Sequence, residues 1–136
     1  MIICGIELTG SNAILAILKG SKSMFSYEDN SPRKIEMIDD QNSIEVRAYQ
    51  ATINAFFREN RVEKIAIKKR SKKGEFAGGA ISFKIETVIQ IFSECEVILI
   101  SPQAIAASKR NNNPTIPVKL NKYQLTAFWT AFTALP

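Results

Sequence analysis

The sequence predicts an α/β domain built on a mixed five-stranded sheet, with three antiparallel strands followed by two parallel ones and helices on both faces. Three observations carry this. Two apolar, β-branched runs of strand length, Ile2 to Leu8 and Ala13 to Leu18, stand back to back across Gly10-Ser11-Asn12. Beyond them, strand-like runs alternate with helical periodicity. The chain ends in an aromatic helix. Hairpins join antiparallel strands, whereas a strand that follows a helix returns in parallel by a right-handed crossover.

The elements follow in order. Ile2 to Leu8 reads as a buried first strand. Gly10-Ser11-Asn12 is a turn, Ala13 to Leu18 the second strand, and Gly20-Ser21 the next turn. Ser23 to Tyr27 alternates and makes the third strand. Glu28 to Pro32 is a loop, and Arg33 to Ile38 either adds a short strand or extends that loop. Asn42 with Glu45 resembles a capping box. Tyr49, Ile53, Phe56 and Phe57 then fall on one helical stripe. Lys64 to Lys68 is the fourth strand. A helix is expected over Glu75 to Phe92, apolar enough around its girth to be covered on more than one side. Gly78-Gly79 near its start lowers helix propensity, and is read as tight helix packing or as close approach of a backbone or phosphate. Glu96 to Ile100 is the fifth strand, ended by Ser101-Pro102. Gln103 to Lys109 is a short helix, and the prolines at 114 and 117 keep the next segment non-helical. The last helix runs from about Lys122 to Leu135, with Leu125, Phe128, Trp129 and Phe132 as its core stripe.

Length and composition fit one globular domain over residues 1–136. The chain is 46% hydrophobic and 23% charged, enough to bury its own core. The apolar runs are too short to span a bilayer, and the start lacks the pattern of a signal peptide. A cytoplasmic protein with no membrane association is expected. Two cysteines and no histidine argue against a structural zinc site and against Ser-His or Cys-His nucleophiles. Cys4 and Cys95 both sit in or beside apolar runs, where a free thiol behaves as a small hydrophobe.

The net charge of +5 is unevenly placed. Lys64, Lys68, Lys69, Arg70, Lys72 and Lys73 fall within ten residues that contain no acid. Such a cluster either binds a polyanion or serves as a solvated, solubilising loop.

Gly5-Ile6-Glu7 in the first strand, Ile65-Ala66-Ile67-Lys68 in the fourth, Pro102 to Lys109 and Asn121-Lys122-Tyr123-Gln124-Leu125 resemble the RNase H-like fold, in its RuvC-type Holliday-junction resolvase branch. The chain also resembles a small bacterial family of this size and fold. The resemblance spans nearly the whole chain. It implies four carboxylates at positions 7, 68, 121 and 124, which in active members clamp two divalent metals. Mg²⁺ and Mn²⁺ need hard anionic oxygens. This chain offers Glu7, Lys68, Asn121 and Gln124, of which only Glu7 is an acid. The expectation is a degenerate site with no assigned catalytic residue, no metal and no cofactor. An ion pair between Glu7 and Lys68, with Asn121 or Gln124 hydrogen-bonded nearby, would stand where a metal stands. The resemblance also places the basic loop beside the nucleic-acid backbone.

Three readings of function follow. In the first, a non-catalytic module binds DNA or RNA through Lys69, Arg70, Lys72 and Lys73, with Lys109, Arg110, Lys119 and Lys122 on the same side. In the second, a Mg²⁺- or Mn²⁺-dependent nuclease gathers Asp39, Asp40, Glu75 or Glu86 around Glu7. In the third, a protein-interaction or regulatory module, for example a homodimer, uses an apolar patch around Phe128, Trp129 and Phe132. Gly5 to Asn12 also resembles the phosphate loop of sugar kinases and actin-like ATPases, but those proteins hold nucleotide between two such domains. Gly74 to Gly79 lacks the ending of a Walker P-loop.

Overall fold

In a computed structural model, described for residues 1–70 and 79–136, the strands are β1 (Ile2–Thr9), β2 (Asn12–Gly20), β3 (Phe25–Glu28), β4 (Lys34–Glu36), β5 (Lys64–Lys68) and β6 (Glu96–Ile100). The helices are α1 (Ser43–Glu59), α2 (Ala80–Gln90), α3 (Pro102–Asn111) and α4 (Leu125–Ala134), the last preceded by a 3₁₀ turn at Lys122–Gln124. The sheet order is β3-β2-β1-β5-β6, with β4 also paired to β2. β1 and β2 are antiparallel in register from Ile2↔Lys19 to Thr9↔Asn12, across a turn where Gly10 has φ +57°. β5 runs parallel to both β1 and β6. The expected mixed sheet is present. It has six strands because Lys34–Glu36 pairs with Asn12–Ile14.

Both faces of this sheet are buried, which is why β1 and β2 read as continuous apolar runs. Cys4, Ile6, Leu8, Leu15, Ile17, Ile65 and Ile67 face α1 and α2. Ile3, Ile14, Ala16, Leu18 and Ala66 face α3 and α4. The α1 stripe of Tyr49, Ile53, Phe56 and Phe57 is buried as its periodicity predicts. Asn42 caps that helix by accepting from the Ile44 amide at 2.9 Å.

Several boundaries differ from the sequence reading. α2 is described only from Ala80, with Gly79 as its N-cap, and residues 75–78 lie outside the described segment. Within α2, Ile81, Phe83, Ile85, Val88 and Ile89 are buried or half-buried while Lys84, Thr87 and Gln90 are exposed, and Ile91 just past its end is 60% exposed. Ser101-Pro102 ends β6 as expected, and Pro102 also opens α3, one residue before the expected start. Proline at the first helical position sacrifices only an amide that has no helical partner, and the Ser101 hydroxyl accepts from the Ala104 amide. Leu125, the first residue of α4, is 37% exposed and leaves the core stripe to Phe128, Trp129 and Phe132.

α4 lies antiparallel to β1. It begins beside Leu15 in mid-β2, passes over Gly5, and ends where the Pro136 carbonyl accepts from the Lys22 amide at 2.9 Å. A methyl group on Gly5 would fall 2.5 Å from the Ala131 nitrogen and closer still to the Ala127 carbonyl. The glycine is therefore required by helix-on-sheet packing. Gly5→Ala should push α4 off the sheet and cost about 3 kcal/mol, read as a lower urea midpoint at unchanged slope. An unchanged midpoint would mean that α4 does not seat on Gly5.

Candidate functional site

The carboxyl ends of β1 and β5 and the start of α4 meet on one face of the sheet. Gly5 and Ala66 point toward α4, and side chains two residues on share their face, so Glu7 and Lys68 follow on that side. The parallel register Ile6↔Ile67 makes them neighbours on adjacent strands. Both are half-buried. The structure thus brings Glu7, Lys68, Asn121 and Gln124 to one end of one face.

The chemistry within that group differs from the expectation. Among the described residues, the ion pairs are Met1–Glu63, Arg33–Asp29, Arg58–Glu94, Lys64–Glu96 and Lys84–Asp40. Glu7–Lys68 is not one of them within 4.0 Å. Strand ends splay two long side chains toward solvent, where holding them together costs rotamer entropy for little gain.

Gln124 is fully buried and already bonded. Its Oε1 accepts from the Asn121 amide at 3.0 Å. Its Nε2 donates to the Leu15 carbonyl at 2.8 Å and to the Tyr27 hydroxyl at 3.3 Å. The Leu15 bond has a topological cause. The outer edge of β2 pairs with β4 through Asn12–Ile14 and with β3 through Ile17–Gly20. Leu15 faces the gap between them. Its amide is satisfied by the Arg33 carbonyl at 2.9 Å, and its carbonyl by Gln124. Gln124 is therefore a structural clasp between α4 and the sheet.

The donor set does not fit the two-metal centre that the resemblance implies. Glu7 supplies one carboxylate, Gln124 is committed to the fold, and Lys68 brings a positive charge. No group of three His, Cys, Asp or Glu side chains able to hold a metal occurs among the described residues. Asp40 is held by Lys84 at 2.9 Å and by Gln41 at 3.0 Å, contacts that keep its carboxyl below the usual range. Asp39 accepts from the Gln41 amide. Glu86 is buried on α2, on the opposite side of the sheet, and Glu75 lies outside the described residues.

The basic residues divide. Lys69 is exposed just past β5. The Arg70 guanidinium donates to the Leu8 carbonyl, which β5 is too short to reach, so Arg70 also ties off the end of β1. Lys72 and Lys73 lie outside the described residues. Lys109 and Arg110 fall on the last turn of α3. Lys109 sits 5.9 Å from the centroid of Trp129, one turn into α4 and away from the Glu7 end. They share a face with Glu7 but not its end of the sheet.

Two residues not singled out by sequence reasoning join the Glu7 end. Lys34 on β4 occupies the same cross-strand row as Glu7, through Glu7↔Ile14↔Lys34. Its Nζ lies 5.4 Å from the centroid of Tyr123, which is 44% exposed. The signal for Lys34 is the ambiguous strand at Arg33 to Ile38, and its register appears only once β4 pairs. Lys34 and Lys68 thus share the face of Glu7 at this end, with Lys69 just past β5, Lys122 in the turn before the positive end of α4, and a second carboxylate, Glu36, one row further along β4, where it accepts from the Ser11 hydroxyl at 3.1 Å.

The last helix buries its aromatic stripe in the core, as expected, and so offers no apolar patch of those residues for the third reading. Phe128 and Phe132 are at most 1% exposed and Trp129 9%. Gln124→Ala would strand the buried Leu15 carbonyl and is expected to cost about 1–3 kcal/mol, measured by chemical denaturation. Gln124→Glu should cost at least as much, since a carboxylate offers acceptors where Leu15 needs a donor. A neutral result for both would remove the clasp.

The chain belongs to the family described as "Protein of unknown function (DUF3010)", whose model matches residues 1–134. Among curated proteins none matches. Solved structures show the same fold. The Thermus thermophilus RuvC structure superposes with a TM-score of 0.73 at 10% identity, over 98% of this chain and 92% of that one. T. thermophilus RuvC in complex with Holliday junction substrate gives 0.63 at 14% identity, over 98% and 91%. The fowlpox virus resolvase in complex with substrate Holliday junction DNA gives 0.60 at 16%, over 98% and 95%. The fold is RuvC-like. No helix among the described residues is long and apolar enough to cross a membrane.

Proposed function

We propose that this protein binds the phosphate backbone of nucleic acid at the carboxyl ends of β1 and β5 and leaves it uncut. The observation that carries the reading is that Lys34, Lys68, Lys69 and Lys122 come to the end of the sheet that holds Glu7, at the start of α4. Three elements distant in sequence converge there. The like-folded RuvC and fowlpox resolvase structures hold Holliday junction DNA, which supports nucleic acid as the polyanion. Lys72 and Lys73, four and five residues beyond β5, extend the same basic run.

The absence of cleavage follows from the donor set. In-line displacement at phosphorus with two metals needs anionic oxygens on both ions. Among the described residues, Glu7, with Glu36 held by the Ser11 hydroxyl at 3.1 Å, does not make up such a set. What remains is attraction between ammonium groups and phosphates, which gives affinity with little sequence preference.

Lys68→Ala with Lys69→Ala should lower the slope of log affinity against log salt by about two units, close to 0.9 for each phosphate no longer neutralised. Arg70 is a poor choice for this test because its loss also frees the Leu8 carbonyl. Glu7→Gln removes a like charge facing the phosphates. It should tighten binding by up to about fivefold, the ~1 kcal/mol between unit charges a few Å apart in water. Binding that is insensitive to salt, or that weakens in Glu7→Gln, would contradict the proposal.

A further inference from the structure

An open sheet edge lies on the opposite side of β2 from β1, and it is built from different groups than the Glu7 end. β3 is an end strand of the sheet order. The Gly20 amide bonds to the Met1 carbonyl, so even-numbered residues of β2 turn their backbone groups toward β1 and odd-numbered ones toward β3. Lys19 and Ile17 therefore ladder with Ser26 and Glu28. The backbone groups of Phe25 and Tyr27 point outward, away from the sheet. Neither residue makes a backbone hydrogen bond outside the ladder among the described residues.

That open edge forms one wall of a cleft of about 930 Å³. The segment 112–119, between α3 and α4, forms the other wall. No backbone hydrogen bond joins the two walls among the described residues. Met24 on one wall is 82% exposed and Val118 on the other 100%. Lys22 and Lys119 also line the cleft. Neither is in an ion pair among the described residues, whereas the carboxylate of Asp29 is held by Arg33 at 2.9 Å.

We infer that this cleft takes an extended segment of another protein, which adds as a strand to β3. The occupant would bond to the Phe25 and Tyr27 backbone, set apolar side chains against Met24 and Val118, and place acidic side chains beside Lys22 and Lys119. Edge strands with unpaired donors and acceptors bind peptides in this way, with the ladder giving affinity and alternate side chains giving selectivity. An acidic strand fits better than a neutral one because the free charges of the cleft are both positive. This surface is separate from the Glu7 end and does not depend on nucleic-acid binding there.

The test uses the full chain, ¹⁵N-labelled, and an acetylated, amidated peptide of alternating valine and threonine with glutamate at each end. The Phe25 and Tyr27 amides are expected to shift and to gain hydrogen-exchange protection. A lysine-ended peptide should bind at least tenfold more weakly, and an N-methylated one should not bind. Lys22→Glu with Lys119→Glu, both on the surface, should reverse the preference between the charged peptides. Unmoved Phe25 and Tyr27 amides, or equal affinity for all three peptides, would overturn the inference. A stronger response of the same amides to single-stranded oligonucleotide, or to protein concentration alone, would overturn it in favour of nucleic acid or of a second copy of this chain.

Discussion

The Gln124 side chain holds the α4 end of this structure in place. β2 carries two short partners on its outer edge, and they do not meet. The backbone of Leu15 is left facing the gap, at a depth water does not reach: the residue is 0% exposed. A buried carbonyl without a donor is costly. Gln124 supplies the donor from the 3₁₀ turn before α4, and with its oxygen holds the Asn121 amide at that turn. α4 is fixed there at one end and by Gly5 along its length. The rows of side chains that define the Glu7 end depend on that placement.

The same bond bears on chemistry. A side chain at this position can complete the sheet or ligate an ion, and here its amide is spent on the sheet. Lys68 on the neighbouring strand and Lys34 two strands away share the face of Glu7, so cations are present there without a metal. A phosphate backbone is a natural complement to ammonium groups at a strand end. The scaffold and the charge pattern together favour holding nucleic acid over cutting it.

Much of this fold is legible in the sequence. The run Ile2 to Leu8, the turn at Gly10 and the α1 stripe are local patterns, and each folds as its periodicity indicates. The convergence of Glu7, Lys68, Asn121 and Gln124 follows from strand alternation together with family resemblance. What is not legible is long-range. The role of Gln124 depends on a gap between two strands, which no spacing encodes. Lys34 enters the site through the register of a three-residue strand. The expected Glu7–Lys68 pair rests on register alone, which sets Cα neighbours but not the direction of long side chains at a strand end. Leu125 leaves the core as the first residue of α4, a boundary that its helical spacing does not reveal. Gly5 is visible as part of a motif, but its cause, the backbone of α4 lying directly above it, is tertiary.

Binding without cutting is checked by incubating the purified chain with an end-labelled four-way DNA junction at low salt with Mn²⁺, and reading complex formation and strand integrity from the same samples. A salt-sensitive complex with every strand intact is expected. Metal-dependent nicking would contradict it, because Glu7 would then have to be joined by ligands that the geometry of Gln124 and Lys68 does not provide.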